Sequence, residues 1–206
     1  TMNYIAANVF ATYEDTFKDD HHLTVMAGGN LEYSYGKDLQ TIGYNLLTEE
    51  LNDFDLVGLN GDGIKEFMAS GGQAEYALLG FFGRINYDYD GRYLLEVNGR
   101  YDGSSRFASD NRWGFFPSVS LGWNIHREKF MESLTDKVSN LKLRVSYGLL
   151  GNQAGAGLYT FASNMSLNGG LGSYIFQDGR HIYTNAPGVI DPNTTWEKVE
   201  SKNIGL

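Results

Sequence analysis

Arg84–Ile85–Asn86–Tyr87–Asp88–Tyr89, then Asp90–Gly91, then Arg92–Tyr93–Leu94–Leu95–Glu96–Val97–Asn98–Gly99–Arg100–Tyr101–Asp102: this stretch decides the fold. Polar and apolar residues alternate with period two on both sides of Asp90–Gly91, with Leu94 the exception. Such alternation marks a β-strand with two unlike faces. Asp-Gly between two such runs predicts a hairpin with a two-residue loop, because a type I′ turn needs positive φ at both central positions. Ile85, Tyr87, Tyr89, Tyr93, Leu95, Val97, Gly99 and Tyr101 form one face. Arg84, Asn86, Asp88, Arg92, Glu96, Asn98, Arg100 and Asp102 form the other. An apolar face with aromatics near the strand ends, backed by a charged face, suits a sheet with lipid on one side and water on the other.

The pattern recurs outward from this hairpin. Leu141, Leu143, Val145, Tyr147 and Leu149 alternate with Lys142, Arg144, Ser146 and Gly148. Phe115, Pro117, Val119, Leu121, Trp123 and Ile125 alternate with Phe116, Ser118, Ser120, Gly122 and Asn124. Leu23–Tyr33 and Ile5–Glu14 read the same way. Most of these runs have roughly the 9–12 residues that a tilted transmembrane strand needs. Strands of a soluble sandwich are shorter, about 5–6 residues. The expectation is an all-β antiparallel meander with strands near Tyr4–Glu14, Leu23–Tyr33, Glu75–Tyr89, Arg92–Asp102, Phe115–Ile125, Leu141–Leu149 and Trp196–Leu206, neighbours pairing in chain order.

Composition narrows the function. The chain has 206 residues with 26 Gly, 14 Tyr and 12 Phe but only 3 Pro, which fits a large β architecture. A formal net charge of −9 argues against nucleic-acid binding, which needs clustered Lys and Arg. With no Cys, disulfides and thiolate metal sites are excluded. No apolar run reaches the roughly 18 residues of a membrane helix.

The connections alternate in length. Asp15–His22 and Asp90–Gly91 are short, whereas Ser34–Gln73, Gly103–Arg112 and the segment after Gly151, with glycines at Gly169–Gly172, are longer. Short periplasmic turns and long extracellular loops would place the longer set outside. His126–Asn140, with a possible helical turn at Arg127–Glu132, is longer than a periplasmic turn should be.

An ordered set of motifs now resembles a known family. Gly83–Tyr89, Arg92–Glu96 and Arg100–Tyr101–Asp102–Gly103–Ser104–Ser105–Arg106–Phe107 come first. Trp113–Trp123, Leu141–Gly148, Gly151–Asn152–Gln153 and Thr195–Trp196–Glu197–Lys198 follow in order. Together they resemble the SusC/RagA family of TonB-dependent outer-membrane transporters, clearly over 83–206 and more weakly over 3–33. The resemblance implies a 22-stranded transmembrane barrel with an N-terminal plug and glycan or peptide cargo. It also implies a SusD-like surface lipoprotein and energy from the TonB complex, in the cell outer membrane of a Bacteroidetes-type bacterium. Nothing matching a plug domain, signal peptide or terminal strand is present. Residues 1–206 are therefore expected to be part of the barrel domain, an open curved sheet if isolated, with TonB reached through a missing N-terminal region.

No catalytic constellation emerges, and no enzyme and no cofactor are expected. Ser118, Ser120 and Ser146 fall on the polar face, but no histidine lies on their strands, and a serine nucleophile needs a base. Asp88, Asp90, Asp102 and Asp110 are too dispersed for calcium. His21, His22, His126 and His181 lack metal-ligand spacing, and His21–His22 reads as solvated. Arg84, Glu96, Arg100 and Arg144 read as a lumen-facing charge ladder across neighbouring strands. Ser104, Ser105 and Arg106 have two readings. They could hydrogen-bond a ligand in the barrel mouth. Alternatively they hold a tight turn, with Gly103 supplying the bend and the serines satisfying backbone groups, and this reading is favoured. The alternative to a transporter wall is a soluble or surface carbohydrate-binding or adhesive β-domain, in which the tyrosines would form a local sugar platform rather than a belt.

Overall fold

The computed structural model describes residues 1–48, 50, 53–134, 138–165, 167–168, 175–176, 179–180, 183–191 and 193–206. Gly169–Gly172 and His181 lie outside them. The strands are β1 (Met2–Phe17), β2 (His21–Gly43), β3 (Phe67–Tyr89), β4 (Tyr93–Ser104), β5 (Trp113–Asn124) and β6 (Lys142–Asn152), then the two-residue β7 (Leu167–Asn168), β8 (Ile175–Phe176), β9 (Gly179–Arg180) and β10 (Tyr183–Thr184), and finally β11 (Glu197–Gly205). One seven-stranded sheet runs β1-β2-β3-β4-β5-β6-β11, with β1 and β11 as its two edges, so it is not closed. The long strands follow one another in chain order, as the meander predicts. β7 pairs with β10 and β8 with β9 in two small antiparallel ladders.

Register follows from period two. Cross-strand partners share a face. Tyr87, Leu95, Leu121 and Val145 are successive partners across β3 to β6, as are Ile85, Val97, Val119 and Tyr147. The opposite face carries Asn86, Glu96, Ser120 and Ser146 in one row. Leu94 breaks the alternation because it sits on the polar face against Gly122 and the aliphatic stem of Lys142. On the edge strand, Lys202 lies opposite Tyr147, with its ammonium 5.9 Å from the ring centroid and 3.0 Å from Glu200.

The β3–β4 turn departs from expectation by one residue. Asp90 (φ 51°) and Gly91 (φ 60°) are both left-handed, and Arg92 N–H donates to the Tyr89 carbonyl at 2.9 Å, as a type I′ turn requires. The ladder, however, closes at Tyr89 opposite Tyr93, leaving three residues in the loop. A strict two-residue loop would set Tyr89 against Arg92 and each apolar residue against a polar one. The additional residue, Arg92, restores like to like.

The chain divides into two compact units. The larger comprises Ala6–Glu32 and Tyr76–Leu206 and holds most of the meander. Its buried cluster is not on the apolar face: Phe107, Phe116 and Trp196 pack together beside Leu78 and Ala156, and Phe116 is the partner of Arg100 on the polar face.

The smaller unit is Thr1–Ile5 with Tyr33–Glu75. Here Ser34–Gln73 is not a loop throughout: β2 continues to Gly43 and β3 begins at Phe67, so the connection is only Tyr44–Glu66. Both strands have 23 residues and outrun the expected Leu23–Tyr33 and Glu75–Tyr89. Both faces of Lys37–Gln40 and Phe67–Glu75 are exposed, so no face imposes an alternation there. The connection has its own local order. Asp53 caps the 3₁₀ turn Phe54–Leu56 by accepting from Asp55 N–H at 3.1 Å. Asn60 Oδ1 accepts from Asp62 and Ile64 N–H, both at 3.0 Å. Val57 is buried beside Gly43 and bridges to Leu46.

Candidate functional site

The larger unit offers two chemically different surfaces on one sheet. On the apolar face, aromatic rows bound an aliphatic band. At one end Tyr89, Tyr93 and Trp123 stack in sequence, with ring centroids 6.3 and 6.4 Å apart. At the other, Trp113 stacks on Tyr101 at 4.8 Å and on Phe81 at 6.4 Å. Between them a groove of about 500 Å³ is lined by Leu95, Leu121, Leu143 and Val145. His21 belongs to this region rather than to a solvated turn. β2 starts at His21, next to the end of β3, so its Nδ1 meets the Tyr87 hydroxyl at 2.6 Å and its ring lies 4.8 Å from Tyr89. His22 stays exposed, its Nδ1 3.0 Å from Thr16 Oγ.

The polar face is cross-linked mainly through amides. Arg84 Nε donates to Asn98 Oδ1 at 2.6 Å, and Asn98 Nδ2 donates to Glu96 at 2.8 Å and Ser118 at 3.2 Å. Arg100 forms a two-pronged pair with Asp102 (2.8 and 3.1 Å) and reaches Asn30 at 3.2 Å. This Arg–Asp–Asn group closes over Gly80, where a Cβ would run into both Asp102 Oδ1 and Asn30 Oδ1. Glycine is needed there for approach rather than for its φ. Arg144 stands opposite Gly122 and Gly205, and its side chain lines a recess with Ser120 and Ser146. A second recess of about 600 Å³ is lined by Phe82, Arg84, Asn98, Arg100 and Phe116. Thus Arg84, Glu96, Arg100 and Arg144 share a face, but the direct hydrogen bonds run through Asn98, Asn30 and Asp102.

The Ser104–Ser105–Arg106 turn is a hub of backbone contacts. Ser104 is fully buried, and its Oγ accepts from Arg106 N–H at 3.3 Å. Ser105 Oγ accepts from Ala77 N–H at 2.8 Å, while Ser105 N–H donates to the Ala77 carbonyl. Arg106 Nη1 donates to the Ala156 carbonyl at 2.7 Å, and its guanidinium lies 5.0 Å from the centroid of Tyr76. Thr160 Oγ donates to the Arg106 carbonyl. The other root of the same long connection is tied nearby: Thr195 Oγ donates to Asn111 O, and Trp196 Nε1 donates to Arg112 O, both at 2.9 Å.

The remaining candidates are committed elsewhere. Asp88 accepts from Gly91 N–H, Asp90 pairs with Arg92 at 2.6 Å, and Asp110 accepts from Ser109. Among the described residues no three His, Cys, Asp or Glu side chains gather as a metal site. Sequence reasoning missed Trp196 and Phe107 as packing residues and Glu128 as a tether. The aromatic bulk of Trp196 and Phe107 was a signal for burial, but their spacing did not show that they meet. Glu128 carried none. Its Oε1 accepts from Tyr93 Oη (2.7 Å) and Trp123 Nε1 (3.0 Å), and these hydrogen bonds hold its carboxyl below the usual range.

Comparison with known proteins agrees with this geometry. The family model "TonB dependent receptor-like, beta-barrel" matches residues 2–206. The TonB-dependent receptor SusC of Bacteroides thetaiotaomicron is 40% identical over 129 residues, which are 63% of this chain and 13% of that protein. The TonB-dependent receptor P26 of Formosa agariphila is 33% identical over 199 residues, covering 94% of this chain and 19% of that one. Among solved structures, that of the RagAB peptide importer in the closed-closed state superposes with a TM-score of 0.80 at 27% identity, over 98% of this chain and 21% of that one. The chain therefore spans about a fifth or less of the relatives it matches.

Proposed function

This chain belongs to the TonB-dependent receptor-like β-barrel family, and from that premise we propose that it forms part of the barrel wall of an outer-membrane transporter importing glycans or peptides. Its apolar face meets lipid and its polar face lines the lumen. A SusD-like surface lipoprotein covers the extracellular mouth, and the TonB complex supplies energy through a segment of the longer protein. The observation that carries this reading is the spacing of the aromatic rows. Phe81 to Tyr89 and Tyr93 to Tyr101 are eight positions apart, and Trp113 to Trp123 ten. At about 3.4 Å per residue and a tilt of about 40°, these spans correspond to roughly 21–26 Å of height. An outer-membrane barrel carries an apolar band of about 25 Å flanked by aromatic girdles. A sugar platform would be a local patch; the aliphatic band here continues across β3 to β6.

The Ser104–Ser105–Arg106 turn, on this reading, anchors the roots of the long extracellular connection rather than touching cargo. Arg84, Glu96, Arg100 and Arg144 keep the lumen side wet. The test uses the full-length protein in vesicles with and without a co-expressed SusD-like lipoprotein. TonB-dependent uptake of oligosaccharide or oligopeptide, enhanced by the lipoprotein, is the expected outcome. Retention of cargo binding by a soluble, lipid-free form with no uptake by the membrane form would favour the carbohydrate-binding domain instead.

A further inference from the structure

The connection 125–141 joins β5 to β6 on the side of the short turns, and its length exceeds what a turn requires. That side is common to all three connections: Asp90 N–H donates to the Asp20 carbonyl at 2.6 Å, and Asn124 Nδ2 donates to the Gly91 carbonyl at 2.6 Å. Short turns mark the periplasmic end of such barrels. We propose that Ile125–Met131 is an interfacial foot that lays Phe130 into the headgroup layer of the phospholipid inner leaflet. The proposal rests on the barrel-wall reading above.

Three observations carry it. First, the connection bends toward the apolar side. Glu128 binds the Tyr93 hydroxyl and the Trp123 indole, which are both members of the aromatic row on that face, and its other oxygen lies 3.9 Å from Arg92. Second, the segment on both sides of Glu128 is locally fixed. Glu128 N–H donates to Ile125 O at 3.0 Å and Met131 N–H to Glu128 O at 2.9 Å, in two short 3₁₀ turns. Third, Phe130 is 64% exposed just two residues beyond the carboxylate that touches the belt, flanked by exposed Arg127 and Lys129. An apolar ring next to basic side chains, two residues from the carboxylate tied to the aromatic row, matches the headgroup–acyl boundary: the ring enters the boundary and the cations meet phosphodiesters. A turn that only reversed the chain needs neither the exposed phenylalanine nor the tether.

The test places a nitroxide at Phe130→Cys in the full-length transporter, with any cysteines outside these 206 residues first replaced, in phospholipid vesicles. Oxygen and a water-soluble nickel chelate are the two relaxers. Val97→Cys serves as the lipid reference and Asp62→Cys as the aqueous one. Phe130 should be several-fold less accessible to nickel than Asp62, at a depth between the two references. Adding Glu128→Ala should return it toward the Asp62 value. A Phe130 label as nickel-accessible as Asp62, with Val97 still in lipid, would overturn the foot alone. A nickel-accessible Val97 would overturn the wall reading beneath it. An unchanged depth after Glu128→Ala would remove the tether from the proposal.

Discussion

The two halves of the β2–β3 hairpin follow different rules. In the larger unit, Arg84–Tyr89 alternates, with one face apolar and the other cross-linked by Arg, Asn and Asp. In the smaller unit, Tyr33–Gly43 and Phe67–Glu75 belong to the same two strands, yet neither face is consistently apolar. Backbone pairing alone is enough to make a strand; two unlike surroundings are needed to make it legible. The contrast teaches that alternation in this chain reports the environment of the strand rather than its existence.

Matched substitutions in the full-length protein can break or sharpen that contrast. The largest effect should come from Phe107→Ala. It opens a cavity against Phe116 and Trp196 and should cost about 3–5 kcal/mol, whereas Phe54→Ala, at a half-exposed position in the smaller unit, should cost far less. Chemical denaturation in vesicles measures both, and equal losses would erase the distinction.

Val97→Arg comes next. It should cost about 2–4 kcal/mol near the bilayer midplane. Leu39→Arg, at a position 77% exposed, should stay within about 0.5 kcal/mol. The glycine pair is smaller still. Gly80→Ala drives a methyl into Asp102 and Asn30 and should cost about 1–3 kcal/mol, while a Cβ at Gly36 meets only the Ala74 carbonyl at 3.8 Å and should be nearly neutral.

The smallest effect is the response to acid. Tyr93 and Trp123 hydrogen bonds lower the Glu128 pKa, so the folded state favours the carboxylate. Its contribution is whole above the ordinary carboxylate range and is lost as pH falls through the lowered value. Glu128→Gln should flatten that part of a stability–pH curve, and an unchanged curve would remove Glu128 from the account.

Seven strands were legible in the sequence, and the limits of legibility are informative. Reading stopped at Tyr33 and resumed at Glu75, the two residues that bound the larger segment of the smaller unit. The three-residue β3–β4 loop was implicit: with the apolar set at odd numbers on both strands, partners must sum to an even number, which Tyr89 and Tyr93 do and Tyr89 and Arg92 do not. The polar face was legible as a face, but not its bonding, because Asn98, Asn30 and Gly80 act through side-chain reach that spacing does not encode. The Phe107–Phe116–Trp196 cluster was hidden for the same reason: its members come from a loop, a strand and a strand entrance.

The central claim is that alternation marks where this sheet meets lipid. A cysteine scan along β3 of the full-length transporter in vesicles, from Phe67 to Tyr89, read by reaction with a water-soluble maleimide, tests it most directly. The account predicts protection at Phe81, Gly83, Ile85 and Tyr87 alternating with reaction at Phe82, Arg84, Asn86 and Asp88, and reaction at every position from Phe67 to Glu75. Uniform reaction from Phe81 to Tyr89, or the same oscillation continuing through Phe67–Glu75, would contradict it.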